Sequence, residues 1–319
     1  MAARFRLTAT TTALLFSLVV LLSCGKSSEE QAAAGGSLVV GILSEPNTLN
    51  PLAARSTQAH DIINLLFLKL LDEQSDFLNF APRLATRWTY SEDSLSITFD
   101  LRRDVRWHDG EPVTAADVRH TWMLQTDEDV AWASRSIKQG IRDVEVTGDH
   151  TVVFHFNNRY PYQLMDANDG VILPRHLTRD IPREQFQAAK FGRMPVGNGP
   201  YRLARWVPVQ LIELEKNPDY YDKDAPRLAR VVFRIVSEMT TLVSMLKTGE
   251  IDCLESLPPD VAKDLEAKQP DIKIYRFPSR TMDFIAWNLE HDLFRDREVR
   301  RALAMAINIP EMIQTLWGG

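Results

Sequence analysis

The segment VVFRIVSEMTTLVSMLKTGEIDCL, residues 231–254, carries the architecture of this chain. Val231–Val236 is a short apolar run that reads as a strand. Met239–Lys247 reads as a helix closed by Gly249, and Ile251–Leu254 as a second strand. Strand, helix and strand in that order form a βαβ unit, in which the two strands are expected to be parallel with a right-handed crossover.

Toward the N-terminus the pattern is antiparallel. Tyr201–Val207 and Leu211–Lys216 read as neighbouring strands, and Val144–Val146 with Val152–Phe156 as a hairpin around Gly148-Asp149. The clearest alternation is Leu95, Ile97, Phe99 and Leu101 against Ser96, Thr98 and Asp100. Its expected partner runs through Trp88 and Tyr90, with residues 91–94 as the turn. Thr114 and Asp117 are spaced as in a capping box before a helical segment, and Gln58–Leu71 reads as a largely buried helix through Ile62, Leu65, Leu66 and Leu70. Leu38–Leu43 is a strand ended by the turn-rich Ser44-Glu45-Pro46-Asn47. Toward the C-terminus, Ile272–Phe277 and Phe284–Leu289 are expected strands. Val299–Ile307 is an amphipathic helix, and Glu311–Trp317 begins another. The fold class is therefore mixed α/β with an antiparallel segment in the middle.

Composition narrows function. A chain of 319 residues that is 45% hydrophobic and 25% charged is an ordinary globular protein with room for two domains. Removing residues 1–23, which hold Arg4 and Arg6 and no acidic residue, takes the formal charge from −6 to −8. Without a basic patch to hold phosphates, nucleic acid is not an expected partner.

The first residues read as a secretory signal. Arg4 and Arg6 precede an apolar run from Ala13 to Leu22, about half the ~20 residues that span a bilayer as a helix. It ends in Leu21-Leu22-Ser23-Cys24, which resembles a lipobox: the Cys24 thiol takes the diacylglycerol and becomes the new N-terminus. Residues 25–37, GKSSEEQAAAGGS, form a polar tether. This places the protein on the periplasmic or extracellular face of the cell envelope, held to the membrane by its lipid anchor only, and a monomer is expected. With Cys24 acylated, Cys253 has no disulfide partner and is expected to act as a small buried hydrophobe.

Seven motifs in fixed order then carry a resemblance: EPNTLNP (45–51), PRLATRW (82–88), FDLRRDVRWHDG (99–110) continued by PVTAADV (112–118), GNGPY (197–201), NPDYY (217–221), GEID (249–252) and VRRAL (299–303). In this order and spacing the chain resembles the family 5 solute-binding proteins, which serve oligopeptide, dipeptide and nickel ABC importers. The family's usual Thr between the two glycines is Asn198 here, and a local turn hydrogen bond from either residue predicts little consequence.

The resemblance implies a periplasmic-binding-protein type II-like fold with two lobes, a hinge and an extra subdomain. Residues 38–51 and 171–277 would form the first lobe, 52–170 the inserted subdomain, and 278–319 the start of a second lobe whose remainder is absent from this sequence. It also implies peptide as ligand, ABC permease subunits as partners, and no cofactor. Nickel chelates, oligosaccharides or opine-like molecules are alternative cargoes on the same scaffold, and an envelope hydrolase or sensor is the alternative of another class.

The candidate ligand-binding residues are Ser44, Glu45 and Asn47. Their loop leaves the first strand at its carboxyl end, where α/β domains place ligands, and a peptide can be held there by main-chain hydrogen bonds. Signals for catalysis are lacking: there is no His-Glu-x-x-His metal motif, no Gly-x-Ser-x-Gly elbow and no phosphate loop. The Gly197/Gly199 loop precedes a strand instead of opening a helix, which argues against a dinucleotide site. His108 is expected in a turn or packing role, and Trp88 and Trp107 are expected to pack.

Overall fold

A computed structural model describes residues 35–76, 78–277 and 284–317. The expected signal peptide, Cys24, nearly all of the expected tether and the first residues of the expected second lobe lie outside the described residues. Two compact units divide the chain, one holding residues 44–235 together with the start up to Val39, the other Val40–Leu43 and residues from Val236 onward.

The first unit is built on two antiparallel systems. Strands β4 (Ala85–Tyr90), β5 (Ser96–Leu101), β6 (Ile141–Gly148) and β7 (Thr151–Phe156) form a sheet of order β4-β5-β7-β6. The strict alternation in β5 and β7 puts Ile97, Phe99 and Leu101 on one buried face with Val152, Phe154 and Phe156. Phe99 and Phe154 meet edge to face, with ring centroids 5.4 Å apart. The helix Ala115–Thr126 (α2) covers this sheet with Ala115, Val118 and Leu124, the burial of Val118 and Leu124 worth about 1.5–3 kcal/mol each. Its start is closed as expected: Asp117 accepts the Thr114 amide at 2.8 Å, and its second oxygen accepts the Arg175 amide at 2.9 Å.

The larger sheet has the order β11-β1-β10-β9-β8, with β1 (Ser37–Ile42), β8 (Tyr201–Val207), β9 (Leu211–Lys216), β10 (Arg230–Ile235) and β11 (Cys253–Leu254). Strands β8, β9 and β10 form an antiparallel meander whose inner residues include Ile212, Leu214, Val231 and Phe233. Strand β11 runs parallel to β1, with Val40 opposite Cys253. The two strands of the 231–254 unit are thus not neighbours, because β1 lies between them. The helix Met239–Thr248 stops at Gly249, whose φ of 77° is the left-handed cap that a Cβ would disfavour. Cys253 is half-buried and free, and burial pushes its thiol up.

Three expectations need correction. The helix α1 spans Thr57–Leu66 and does not reach Leu71. Beyond Leu66 the backbone bonds elsewhere: Gly199 donates to the Leu66 carbonyl at 2.8 Å, Ile172 to Leu68 at 2.9 Å and Ala85 to Leu70 at 2.8 Å. Tertiary partners outcompete the helix, and residues 71–73 become strand β2 (Leu71–Glu73), paired with β3 (Phe80–Pro82). The strand expected over 251–254 shrinks to Cys253–Leu254. Residues 272–277 and 284–289 form no strand, since no described strand offers them hydrogen-bonding partners. The helices at Arg297–Met305 and Ile309–Trp317 form as expected.

Candidate functional site

The loop that follows β1 is tied down residue by residue. Leu49 donates to the Gly192 carbonyl at 2.9 Å, and the fully buried Asn50 donates to the Phe186 carbonyl at 2.8 Å while accepting the Leu52 amide at 3.1 Å. These bonds draw residues 44–54 against the segment 186–193, far away in sequence. Asn47 then donates from Nδ2 to the Ala53 carbonyl at 3.2 Å.

Glu45 is the most engaged of the three candidates. Its Oε1 accepts the indole N–H of Trp206 at 2.7 Å, and its Oε2 accepts the Val209 amide at 3.0 Å. Arg193 approaches Oε1 at 3.4 Å and lays its guanidinium 4.1 Å over the Trp206 ring. Ser44 and Asn47 are exposed.

Glu45 and Asn47 line one open depression of ≈ 490 Å³, together with Ala53, Arg55, Ser56 and Gln187. Ser56 is the N-cap of α1, its hydroxyl accepting the Ala59 amide at 3.2 Å. Gln187 is fixed in place by donating to the carbonyls of Val130 at 2.6 Å and Leu52 at 3.0 Å. Sequence reasoning missed Arg55, Ser56, Gln187, Arg193 and Trp206. None sits in a chemical motif, and Trp206 meets Glu45 across 161 residues.

His108 takes a structural place. It lines a second depression of ≈ 500 Å³ with Arg193, Arg202 and Trp206, and burial lowers its imidazole pKa to about 4. Trp107 is packed in the core as expected, while Trp88 is only half-buried. Among the described residues no group of three or more His, Cys, Asp or Glu is arranged to hold a metal ion, and no helix is long and apolar enough to cross a membrane.

Comparison with known proteins fits this architecture. Residues 79–319 match the family model described as bacterial extracellular solute-binding proteins, family 5 middle. The chain is 29% identical over 284 residues to the oligopeptide-binding protein AppA of Bacillus subtilis, covering 88% of this chain and 52% of that protein. It is 32% identical over 287 residues to protein XP55 of Streptomyces lividans, covering 89% and 50%. The solved structure of Bacillus subtilis AppA in complex with a nonapeptide superposes with a TM-score of 0.77 at 28% identity, covering 90% of this chain and 56% of that one. The chain spans about half the length of the curated relatives it matches. The fold is the mixed α/β periplasmic-binding-protein type II class that the motif series implies, and the chain belongs to the bacterial extracellular solute-binding proteins, family 5.

Proposed function

We propose that this chain is the N-terminal part of the peptide receptor of an ABC importer, held at the outer face of a membrane by lipid on Cys24. In this reading the protein captures di- or oligopeptides and delivers them to permease subunits without altering them. Residues 38–51 and 171–277 belong to the first lobe, 52–170 to the inserted subdomain, and residues from 278 onward to the second. Ser44, Glu45 and Asn47 form the segment of the first lobe beside the ligand. The observation that carries the reading is the match over 90% of this chain to a protein solved with a nonapeptide. A shallow cleft that presents backbone groups suits peptides of many sequences, because main-chain hydrogen bonds are indifferent to side chains.

The test is calorimetric titration of the full-length protein with a mixed nonapeptide, a dipeptide, a nickel–histidine chelate and an oligosaccharide. Binding of peptide at one site, with the peptide recovered intact by mass spectrometry, is the expected result. Binding of another cargo alone, or cleavage of the peptide, would overturn it. Incorporation of labelled palmitate that disappears in Cys24→Ala tests the anchor.

A further inference from the structure

The three partners of Glu45 form a unit that the proposed cargo does not explain. Both carboxylate oxygens are occupied: Oε1 by the Trp206 indole at 2.7 Å and Oε2 by the Val209 amide at 3.0 Å. Hydrogen bonds to an ionised acceptor are stronger than those between neutral groups, so these two bonds fix the carboxylate, and the loop that carries it, to the protein. The donors come from the end of β8 and from the turn that joins it to β9.

That turn carries an independent sign of purpose. Val209 stands at φ 60°, in the left-handed region that a β-branched residue avoids. Pro208 precedes it and Gln210 donates to the Val207 carbonyl at 3.1 Å, so Val209 occupies the position where such a turn ordinarily has glycine. Its side chain is 73% exposed, so packing does not account for the strain. The amide it presents, however, lands on Glu45. Strained backbone persists where the surroundings over-determine it, and it gathers at sites where geometry matters. Arg193, 4.1 Å over the Trp206 ring and 3.4 Å from Glu45, covers a face of the indole and adds positive charge to the carboxylate's surroundings.

Building on the peptide-receptor reading, we infer that Glu45 is the anchor of the ligand-side loop and that Trp206, Val209 and Arg193 are its positioning residues. The Glu45 carboxylate serves to hold the loop. The loop's backbone, Ser44 and Asn47 are what remain to face a peptide.

The experiment compares the full-length protein with Glu45→Gln, Trp206→Phe and the double variant. Phenylalanine keeps a ring for Arg193 and removes only the indole donor. Two readouts are taken: amide hydrogen exchange of residues 43–49 and of Val209 without ligand, and the affinity for a nonapeptide. Each single variant is expected to speed exchange in the loop and to weaken binding about tenfold. The double variant is expected to lose less than the two singles summed, because both substitutions weaken the same carboxylate–indole contact. Unchanged exchange in Trp206→Phe would overturn the inference. So would a loss of affinity in Glu45→Gln that Trp206→Phe does not share, since Glu45 would then touch the ligand itself. If the unmodified protein takes up no peptide, the cargo reading fails, while the exchange comparison still decides the anchor.

Discussion

The His108 ring and the Gly197 amide define each other: Nδ1 of His108 accepts the Gly197 N–H at 3.1 Å, while its Nε2 lies 3.2 Å from the Gly199 carbonyl. An amide can only donate, so Nδ1 carries the lone pair and Nε2 the proton. The imidazole is neutral and staples the GNGPY loop to the RWHDG turn. His120 obeys the same logic, since the Thr178 hydroxyl donates to the Pro174 carbonyl at 2.7 Å and is left to accept from His120 Nε2 at 2.8 Å.

A pH dependence follows with a definite sign. Burial lowers the His108 pKa from 6.5 to about 4, so below pH 6.5 the unfolded chain binds a proton that the folded chain refuses. Stability is full above pH 6.5 and falls as the pH drops toward 4, by about 3 kcal/mol at most from this residue. Urea unfolding at pH 7 and pH 4.5 reads the effect. His108→Gln should be less stable at pH 7 yet lose less between the two. An equal loss in both proteins would assign the acid sensitivity elsewhere.

Gly197 tolerates no side chain. An added Cβ would overlap the Leu66 carbonyl, and at Gly199 it would sit 2.6 Å from the Leu65 oxygen. These are backbone atoms at the end of α1 and have nowhere to move. Gly197→Ala should lose about 3–5 kcal/mol, or fail to accumulate as folded protein. A variant with wild-type unfolding midpoint would show that the helix end can slide.

These contacts show where sequence reading stops. The sequence pattern exposed β5, β7, β8 and β9, because buried faces in antiparallel sheets alternate, and Gly249 marked the end of the helix Met239–Thr248, but the antiparallel pairing of β10 with β9 was not read. The same reasoning ran α1 through Leu71. Nothing local reveals that the Leu66 carbonyl is claimed by Gly199 and the Leu68 amide by Asn198. The surroundings of the candidate loop divided in the same way. The loop 44–47 was legible from its place after the first strand, whereas Trp206, Arg193 and Gln187 reach it only through tertiary folding. The strands expected at 272–277 and 284–289 had suitable residues, but a strand also needs a partner.

Asn198 tests how much that long-range bond matters. Its Oδ1 accepts the Leu68 amide at 2.8 Å inside the core, so the residue does more than shape its own turn. Asn198→Ala strands a buried amide and should cost about 1–3 kcal/mol. Asn198→Thr, which brings the hydroxyl usual in the family, should recover part of that loss. Equal unfolding midpoints for the two variants would show that no hydroxyl reaches the Leu68 amide.

Lys138 is a buried cation with a structural task. Its Nζ donates to the carbonyls of Asp166 at 2.5 Å and Asp169 at 2.7 Å, around the C-terminus of the short helix Gln163–Asn168. Burial lowers its pKa to about 8, so it remains charged at neutral pH, where a cation suits a helix C-terminus. Lys138→Met matches the stem but leaves those carbonyls unpaired, and a loss of about 3 kcal/mol is expected in chemical unfolding. A neutral result would mean that water replaces the ammonium without penalty.

Val209 offers a change in the opposite direction. Its left-handed backbone costs about 1–3 kcal/mol for a β-branched residue, and its exposed side chain contributes little packing in return. Asparagine accepts that conformation readily and keeps the N–H that Glu45 Oε2 receives. Val209→Asn should therefore stabilise the protein by about 1 kcal/mol, read as a raised unfolding midpoint at unchanged slope, and should leave peptide affinity intact. If Val209→Asn stabilises the fold but weakens binding, the strain itself shapes the loop. If Val209→Pro, which deletes the amide and cannot adopt the left-handed turn, still binds as well as Val209→Asn, neither the turn nor its bond to Glu45 has a part in holding the ligand side of this lobe.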